Sequence, residues 1–346
     1  MAVVTFGALR RWLLEYLVCP ACKGPLTCDA MSASAPEDEE LPDGSLGCGA
    51  CGLSFPVVRG IPRLSRAKES IGVAQHRTAS AFGWQWLRFS RLHDGWEDYE
   101  ERFLDWINPL RGDDLAGKVV LDAGCGMGEF TAVAARLGAR RVIGVDLSES
   151  VEAAHEFTRG LPNAAIVQAD LYSLPLAAPF ALVFSVGVIH HLPDPEGGVR
   201  ALAGHLAPGG TLYVWVYGFE NNWWVRRLVS PLRVRVTARL PKLALYVLSL
   251  LLAAFLHPIL TLAYKERPGR PRWLRRALPY ADYLTWLARY GFRHTHCVIF
   301  DHLNAPTAVY VKRGELRSWI ERAGLGEIIL SWRNRNSWRA FGQRIA

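Results

Sequence analysis

Four cysteines near the start of the chain have the spacing of metal ligands. Cys19 and Cys22 form one C-x-x-C pair and Cys48 and Cys51 form another, with an acidic, solvated loop predicted at 30–45 between them. Two such pairs supply four thiolates, which suit a tetrahedral zinc ion with no open coordination position. The pattern therefore predicts a structural zinc site, and a metal-free fold with reduced thiols is the alternative.

A glycine-rich turn lies between a predicted buried strand and a predicted helix. Gly124, Gly126 and Gly128 follow Asp122 in the segment VVLDAGCGMGEF. Glycines at such a turn let the backbone approach a ligand, and the helix N-terminus offers unpaired N–H groups. A dinucleotide-binding turn needs its third glycine three positions after the second, where this chain has Glu129. The spacing therefore argues against a dinucleotide ligand.

Two further acids end the next two predicted strands. Asp146 lies in GVDLS and Asp170 lies in QADLYSLPL. The carboxyl ends of strands in an open α/β sheet converge where ligands bind, and a ribose diol or an exocyclic amine each needs a hydrogen-bonding oxygen there. Taken singly, either acid is equally compatible with a helix N-cap or a solvated turn.

Together with FSVGVIHHLPDP after the fourth strand, these motifs resemble the class I S-adenosylmethionine-dependent methyltransferases, particularly the small-molecule group of ubiquinone and menaquinone methylases. The resemblance covers 118–217 and, more loosely, 314–346. It implies that the glycine turn holds the methionine end of the cofactor, that Asp146 accepts from the ribose and that Asp170 meets the adenine amine. The cofactor residues expected are Asp122, Gly124, Gly126, Gly128, Asp146, Leu147, Asp170, Leu171 and Ser185.

Two adjacent histidines are the candidate catalytic bases. Methyl transfer from a sulfonium is an in-line displacement, so a base is needed only when the acceptor carries a proton. His190 and His191 lie at the expected mouth of the sheet, and a histidine there can titrate near neutral pH. Asp194, Tyr172 and Tyr217 are less favoured. The alternative is that one histidine only packs or caps the following turn.

Other residues are assigned through the same resemblance. It implies that the segment before the first strand folds over the cofactor, which makes Phe82, Trp84 and Trp86 either a lid or ordinary core aromatics. It also implies that a cap follows the fifth strand, where His302 and Asn304 are expected to contact the acceptor.

The cysteine-containing segment has a resemblance of its own. LLEYLVCPACKGPL and LGCGACGLSFPVVRGIPRL resemble the zinc-ribbon family that includes the activator subunit of eukaryotic tRNA and protein methyltransferases. This implies a zinc-ribbon domain over 1–65. We expect the ribbon to be remote from the chemistry and to fold separately from the cofactor domain.

The rest of the chain alternates predicted strands and helices. Such alternation is typical of a parallel sheet with helices on both faces, and it resumes near 314 with a helix and two antiparallel strands. We predict an α/β fold with a Rossmann-like seven-stranded methyltransferase sheet, preceded by the ribbon and by a helical connector or lid at 66–117. The methyltransferase domain is 118–346, and the first five strands are expected at 119–123, 141–146, 164–170, 180–187 and 211–217.

Charge is distributed unevenly along the 346 residues. Residues 1–218 hold 18 Lys and Arg against 25 Asp and Glu, whereas 219–346 hold 22 against 7. Within the latter, 219–313 has 16 basic and 4 acidic residues and interrupts the strand–helix pattern, so we predict a basic, helical insertion after strand 5. A basic surface is expected to meet phosphate, anionic lipid or an acidic substrate.

The insertion contains 22 consecutive residues without formal charge, 243–264. The run is long enough to span a bilayer, but the strands after 326 must rejoin the sheet, and Pro258 is expected to break the run. A membrane-surface contact, an apolar lid and a buried interface therefore remain open. Basic residues flank it on both sides, namely Arg233, Arg235, Arg239 and Lys242 before it and Lys265, Arg267, Arg270 and Arg272 after it.

The function expected is S-adenosylmethionine-dependent methyl transfer to a hydrophobic small-molecule or lipid-like acceptor. We expect a cytoplasmic enzyme, with peripheral membrane contact left open, because Arg10 and Arg11 follow the first apolar stretch instead of preceding it as in a secretory signal. One alternative is an rRNA or tRNA base methyltransferase, although VGVIHH replaces the NPPY-type signature of base-amine methylases. The other is a non-catalytic module that binds cofactor and docks a partner. The acceptor atom and the oligomeric state do not follow from the sequence.

Overall fold

The computed structural model describes residues 9–28, 40–41, 43–65, 72–90, 92, 95–177, 179–266 and 278–345. Most of the acidic loop expected at 30–45 lies outside these residues. The arginines expected to flank the apolar run on its far side, Arg267, Arg270 and Arg272, lie outside them too.

The N-terminal part is a small antiparallel β unit. β1 (Leu9–Arg10) pairs with β3 (Glu40–Leu41). A four-stranded sheet has the order β2-β4-β5-β6, formed by β2 (Leu26–Cys28), β4 (Gly44–Cys48), β5 (Ser54–Val58) and β6 (Ile61–Pro62). Its short strands carry the two cysteine pairs on their connecting turns, as a ribbon requires.

The main sheet has seven strands in the order β12-β13-β11-β10-β7-β8-β9, and only β13 runs antiparallel to its neighbours β11 and β12. This confirms the predicted α/β architecture. Strands β7 to β10 are largely buried apolar runs because helices cover both faces of this part of the sheet. Their bounds are β7 (Val119–Ala123), β8 (Arg141–Asp146), β9 (Ala164–Gln168), β10 (Phe180–Val186), β11 (Leu206–Tyr217), β12 (Leu325–Arg333) and β13 (Ser337–Arg344).

Two predicted strand limits were wrong. β9 ends at Gln168, so Asp170 lies in the following turn. The fifth strand begins at Leu206 instead of at residue 211, so Pro208, Gly209 and Gly210 lie within β11. The pairing of β10 with β11 shifts register between Phe180 and Leu182, and such a bulge accommodates a proline inside a strand.

Ten α-helices are described. Two precede the sheet and form the connector, three connect the parallel strands, four lie in the insertion and one precedes β12. They are α1 (Val73–Arg88), α2 (Trp96–Ile107), α3 (Glu129–Arg136), α4 (Val151–Thr158), α5 (Pro195–Ala203), α6 (Ser230–Arg235), α7 (Lys242–Ala263), α8 (Ala281–Leu287), α9 (Phe292–Asn304) and α10 (Arg313–Arg322).

The apolar run forms one continuous helix, α7, so the expected break at Pro258 does not occur. A proline inside a helix removes one backbone N–H donor. Here packing against α9 holds both halves in line, and the Thr261 hydroxyl donates to the carbonyls of His257 and Pro258. The uncharged run is therefore a single 22-residue element.

The ribbon is not an independent unit, contrary to our expectation. The Val18 N–H donates to the Pro175 carbonyl at 2.9 Å, and the Ala177 N–H donates to the Tyr16 carbonyl at 3.0 Å. Trp12 is buried, and its indole N–H donates to a carbonyl beyond α4, that of Pro162. Ribbon and sheet side chains belong to one hydrophobic cluster. The ribbon therefore packs as part of the larger core.

Candidate functional site

The glycine turn after β7 has a backbone that requires glycine. Gly124, Gly126 and Gly128 have φ values of 86°, 54° and 82°, in the left-handed region where a Cβ is strained. A Cβ on Gly124 would also lie 2.3 Å from a methyl carbon of Val188. Val188 follows β10, so the turns after β7 and β10 meet where the strand order reverses. Ligands bind at this point in open α/β sheets.

Asp122 lies inside the turn and is only 2% exposed. Its Oδ2 accepts a hydrogen bond of 2.6 Å from the Thr131 hydroxyl. Burial raises the pKa of Asp122 to about 7, and the nearby Asp146 and Glu129 carboxylates act in the same direction. The structure therefore makes Asp122 a buried support of the turn that titrates near neutrality.

Asp146 ends β8 and binds the same turn. Its Oδ2 accepts from the Gly126 N–H at 3.0 Å, and its Oδ1 accepts from the Ser148 N–H at 2.8 Å and from the Ser148 hydroxyl at 2.7 Å. A carboxylate offers roughly four acceptor positions, and these three donors leave about one, on Oδ2. Asp146 can therefore accept a ligand hydroxyl while it holds the loop in place.

Asp170 has the capping role considered for it from the sequence, and it does not line the cavity. Its Oδ1 caps a short 3-10 helix by accepting from the Tyr172 N–H, and it also accepts from Gln75 Nε2 at 2.7 Å. Gln75 comes from α1 and lines the central cavity, whereas Asp170 lies behind it. Ser185 is fully buried and donates to the Ala123 carbonyl at 2.7 Å, so it joins β10 to β7 and does not line the cavity.

One cavity of about 450 Å³ extends from the glycine turn into the insertion. Its size is typical of a small-molecule site. At one end it is lined by residues predicted for the cofactor, namely Asp122, Gly124, Gly126, Asp146, Leu147 and Leu171. The other end is largely aromatic, with Trp106, Trp215, Tyr217, Tyr283, Trp286, His302 and Tyr310. The cavity therefore offers two adjoining compartments of different chemistry.

The structure distinguishes the two candidate histidines. His191 lines the cavity, and its Nδ1 lies 2.5 Å from the Thr307 carbonyl. Because a carbonyl only accepts, the ring proton belongs on Nδ1, which leaves a lone pair on Nε2. His190 is buried behind it against Tyr217, with ring centroids 4.0 Å apart, and is not among the lining residues.

Burial lowers the pKa of both histidines, that of His191 to about 4. Neither titrates near neutral pH in this environment, in contrast to the expectation from the sequence. The less favoured bases Tyr172 and Asp194 are outside the cavity, where the Tyr172 hydroxyl donates to the Asp194 carbonyl.

Helix α1 covers the cavity and divides the three predicted lid aromatics. Phe82 and Trp86 line the cavity, and Phe82 lies against the His191 ring at 4.7 Å between centroids. Trp84 points to the insertion instead and stacks on Phe300 of α9, with centroids 5.3 Å apart. Phe82 and Trp86 therefore lie where the predicted lid would be. Trp84 is a core aromatic, which was the alternative.

The insertion provides the far wall of the cavity. His302 lines it as predicted and bonds the Tyr283 hydroxyl at 3.1 Å. Asn304 is fully buried outside it. Asp301 was not singled out from the sequence, yet its carboxylate accepts from Gln85 at 2.9 Å and from Tyr217 at 3.1 Å. No local motif marks Asp301, because its partners come from α1 and β11.

The four ribbon cysteines form a compact ligand set. Their sulfur atoms all lie within 4.8 Å of one another, with 3.6 Å between Cys19 and Cys51 and 3.4 Å between Cys22 and Cys48. Zinc–sulfur bonds of about 2.3 Å in a tetrahedron place the sulfurs about 3.8 Å apart. The residues present therefore fit a structural zinc ion, away from the cavity.

The sheet order, the glycine turn and the acid that ends β8 are those expected of a class I methyltransferase domain, and the cysteine ribbon packs on this sheet. Comparison with known families agrees. Residues 121–214 match the family described as methyltransferase domain, and residues 10–60 match the family described as Trm112p-like protein.

Curated relatives are also similar to part of the chain. Ubiquinone biosynthesis O-methyltransferase of Neisseria meningitidis serogroup C is 37% identical over 139 residues, which are 36% of this chain and 58% of that protein. The protein of the same name from Azoarcus sp. is 37% identical over 138 residues, 36% of this chain and 59% of the relative. The chain thus spans a little under 60% of these relatives.

Two solved structures are also similar. Magnesium protoporphyrin IX methyltransferase from Synechocystis PCC 6803, with bound SAH, has a TM-score of 0.46 at 15% identity and covers 79% of this chain and 98% of that one. A complex of the Haloferax volcanii Trm112 methyltransferase activator with a putative methyltransferase has a TM-score of 0.41 at 15% identity, covering 77% and 98%.

Proposed function

We propose that this protein transfers a methyl group from S-adenosylmethionine to a hydrophobic small molecule. The observation that carries the proposal is the cavity that joins the glycine turn and Asp146 to an aromatic compartment built by β11 and the insertion. The curated relatives are O-methyltransferases of ubiquinone biosynthesis, which supports a small, apolar acceptor with a hydroxyl group.

S-adenosylmethionine supplies an electrophilic methyl group when bound. The chain's own residues then have three tasks. The glycine turn and Asp146 hold the donor, α1 excludes water through Phe82 and Trp86, and the aromatic compartment orients the acceptor in line with the methyl carbon. Positioning is the main contribution in such a displacement, and no metal is needed in the cavity.

His191 is the residue we assign to the acceptor proton. Its Nε2 keeps a lone pair because Nδ1 bonds the Thr307 carbonyl, and a pKa near 4 keeps the ring neutral at physiological pH. So weak a base cannot deprotonate a hydroxyl in advance. We therefore assign it to orient the hydroxyl and to accept the proton as the oxygen–methyl bond forms.

Calorimetry tests the cofactor half of the proposal. S-adenosylhomocysteine should bind and NAD should not. Asp146→Asn should weaken the binding by about 1.5–3 kcal/mol, because a charge-assisted contact to the ligand is lost. Glu149→Gln is the control, since Glu149 is exposed three residues away. NAD binding, or equal affinity in the Asp146 variant, would contradict the proposal.

The acceptor is found by adding enzyme and S-adenosylmethionine to a cell extract and searching for a metabolite whose mass rises by one methylene. We expect an apolar product that is absent with Asp146→Asn. A methylated RNA in place of a small molecule would replace the proposed acceptor class.

A further inference from the structure

Helix α7 has its polar side chains facing the protein and its apolar ones facing solvent. Ser249 is fully buried, and its hydroxyl lies 3.0 Å from His296 Nε2 of α9. His257 Nδ1 lies 2.9 Å from the Thr295 hydroxyl, also on α9. Surface helices of globular proteins show the opposite arrangement. The inverted pattern indicates that the outer face of α7 meets an apolar environment.

The outer face is large and continuous. Leu243, Leu251, Phe255 and Leu262 are 71%, 64%, 68% and 62% exposed, and together with the exposed Val247 and Ile259 they recur every three to four residues along the helix. Contiguous exposed apolar surface of this kind marks a protein or membrane interaction site. By length and composition the helix is even apolar enough to cross a membrane.

Contacts at both ends hold α7 against the rest of the protein. The helix would therefore lie along a membrane surface and would not span the bilayer. At its start, Lys242 Nζ donates to Asn304 Oδ1 at 2.6 Å. Beyond its end, the Tyr264 hydroxyl donates to the Pro279 carbonyl at 3.0 Å. The partner helix α9 also carries the cavity residues Asp301 and His302. Withdrawal of α7 into a bilayer would expose Ser249 and dismantle the cavity wall.

The positive charge of the insertion favours an anionic membrane over a second copy of the chain as the partner of this face. Residues 221–265 contain seven Arg and Lys and no Asp or Glu. Of these, Arg227, Arg235, Arg239 and Lys265 are exposed near the apolar helix in sequence. A second copy docked through the same face would oppose like charges. An anionic lipid surface meets both the apolar face and the basic residues.

The same insertion reaches the cavity. Val225 lines the cavity, and its neighbours Trp223 and Trp224 are 54% and 57% exposed. Tryptophan is favoured at the boundary between lipid headgroups and acyl chains. An exposed aromatic segment thus continues directly into the wall of the acceptor compartment.

We propose that the outer face of α7, with the exposed tryptophans and basic residues of 221–265, binds the surface of an anionic membrane. The surface contact follows from the insertion alone. That the acceptor enters the cavity from the lipid rests on the proposed function.

Vesicle flotation tests the contact with the full chain. The protein should float with vesicles of phosphatidylcholine and phosphatidylglycerol at low salt, less with phosphatidylcholine alone, and less again as salt screens the basic residues. Leu251→Asp with Phe255→Asp should reduce vesicle affinity by more than about tenfold, because two apolar side chains that enter the lipid on binding are replaced by charged ones. Ile345→Asp is the control, since Ile345 is 73% exposed elsewhere on the chain.

S-adenosylhomocysteine binding by the variants shows whether they are folded. Its binding by the wild-type chain tests the proposed function independently of flotation. Unchanged cofactor affinity together with lost flotation in the double variant supports the proposed membrane-binding surface. Flotation of the wild-type chain without cofactor binding would contradict the proposed function and leave the membrane-binding surface intact. No flotation of the folded wild-type chain at low salt would overturn the proposal. An equal loss of flotation in the Ile345→Asp control would also overturn it. The same holds if the wild-type chain forms a dimer that the double variant dissociates, or if it binds RNA in a salt-sensitive manner in place of lipid.

Discussion

Differences in burial give the two carboxylates beside the glycine turn, Asp122 and Asp146, different roles. Asp122 and Asp146 both line the cavity, but Asp122 is almost fully buried and accepts from Thr131, whereas Asp146 is less buried and accepts from Gly126 and Ser148. The sequence assigns both to the cofactor. The surroundings leave Asp146 an acceptor position for a ligand and make Asp122 a buried support whose protonation depends on pH.

Asp122 should make stability depend on pH. Its folded-state pKa, about 7, lies above the ordinary value, so the native state holds a proton that the unfolded state releases from about pH 4 upward. Its contribution to stability is therefore present at low pH and lost as pH rises through about 7. Relative to wild type, Asp122→Asn should gain unfolding free energy between about pH 4 and 7 and then level off.

Urea denaturation across this pH range measures the difference between the two proteins. Parallel pH profiles for wild type and Asp122→Asn would show that the carboxyl keeps its ordinary pKa.

At the scale of elements, the insertion builds the far wall of the cavity. Asn304 at the end of α9 is the junction, because its amide donates to the Ala81 carbonyl at 2.9 Å and to Gln85 Oε1 at 3.1 Å while its Oδ1 accepts from Lys242. It thereby joins α1, α7 and α9. It does not contact the cavity, so its effect on ligand binding must be indirect.

Asn304→Ala should lower the unfolding free energy by about 2 kcal/mol or more, because buried donors and acceptors lose their partner. Cofactor affinity should fall as well, since α1 carries Gln75, Phe82 and Trp86 over the cavity. Chemical denaturation and calorimetry measure the two effects. Unchanged stability would mean that Asn304 does not join the helices.

At the scale of the whole molecule, the ribbon and the sheet share one core. Backbone hydrogen bonds join the ribbon to the segment between β9 and β10, and the Leu64 N–H donates to the Gln168 carbonyl at 2.8 Å. The zinc site therefore supports the sheet edge that carries β9. Loss of zinc should therefore lower the stability of parts of the core that lie far from the cysteines.

Cys22→Ser with Cys51→Ser should abolish zinc binding and lower the melting temperature of the whole chain in one transition, because metal binding is coupled to folding of the shared core. Elemental analysis and differential scanning calorimetry check the two results, with Cys28→Ser as control because Cys28 is outside the ligand set. A cofactor domain that melts at its wild-type temperature would show that the ribbon folds independently.

Local spacing was sufficient to predict the elements and the chemistry that depend on neighbours in the chain. The cysteine pairs, the glycine turn, the acid after β8 and the strand–helix alternation all fall within short windows, and glycine conformation or ligand geometry fixes their meaning. The sequence by itself thus determined the sheet, the ribbon, the cysteine cluster and the glycine turn.

Only the tertiary structure decided the features that join distant segments. Asp301 meets Gln85 and Tyr217 across the fold, His191 rather than His190 reaches the cavity, and the ribbon merges with the main core. The outward apolar face of α7 is of the same kind, since the run has no charged side chain to mark a solvent side and its few polar residues, such as Ser249 and His257, face the protein. Burial and long-range contacts set these features, and neither is encoded in residue spacing.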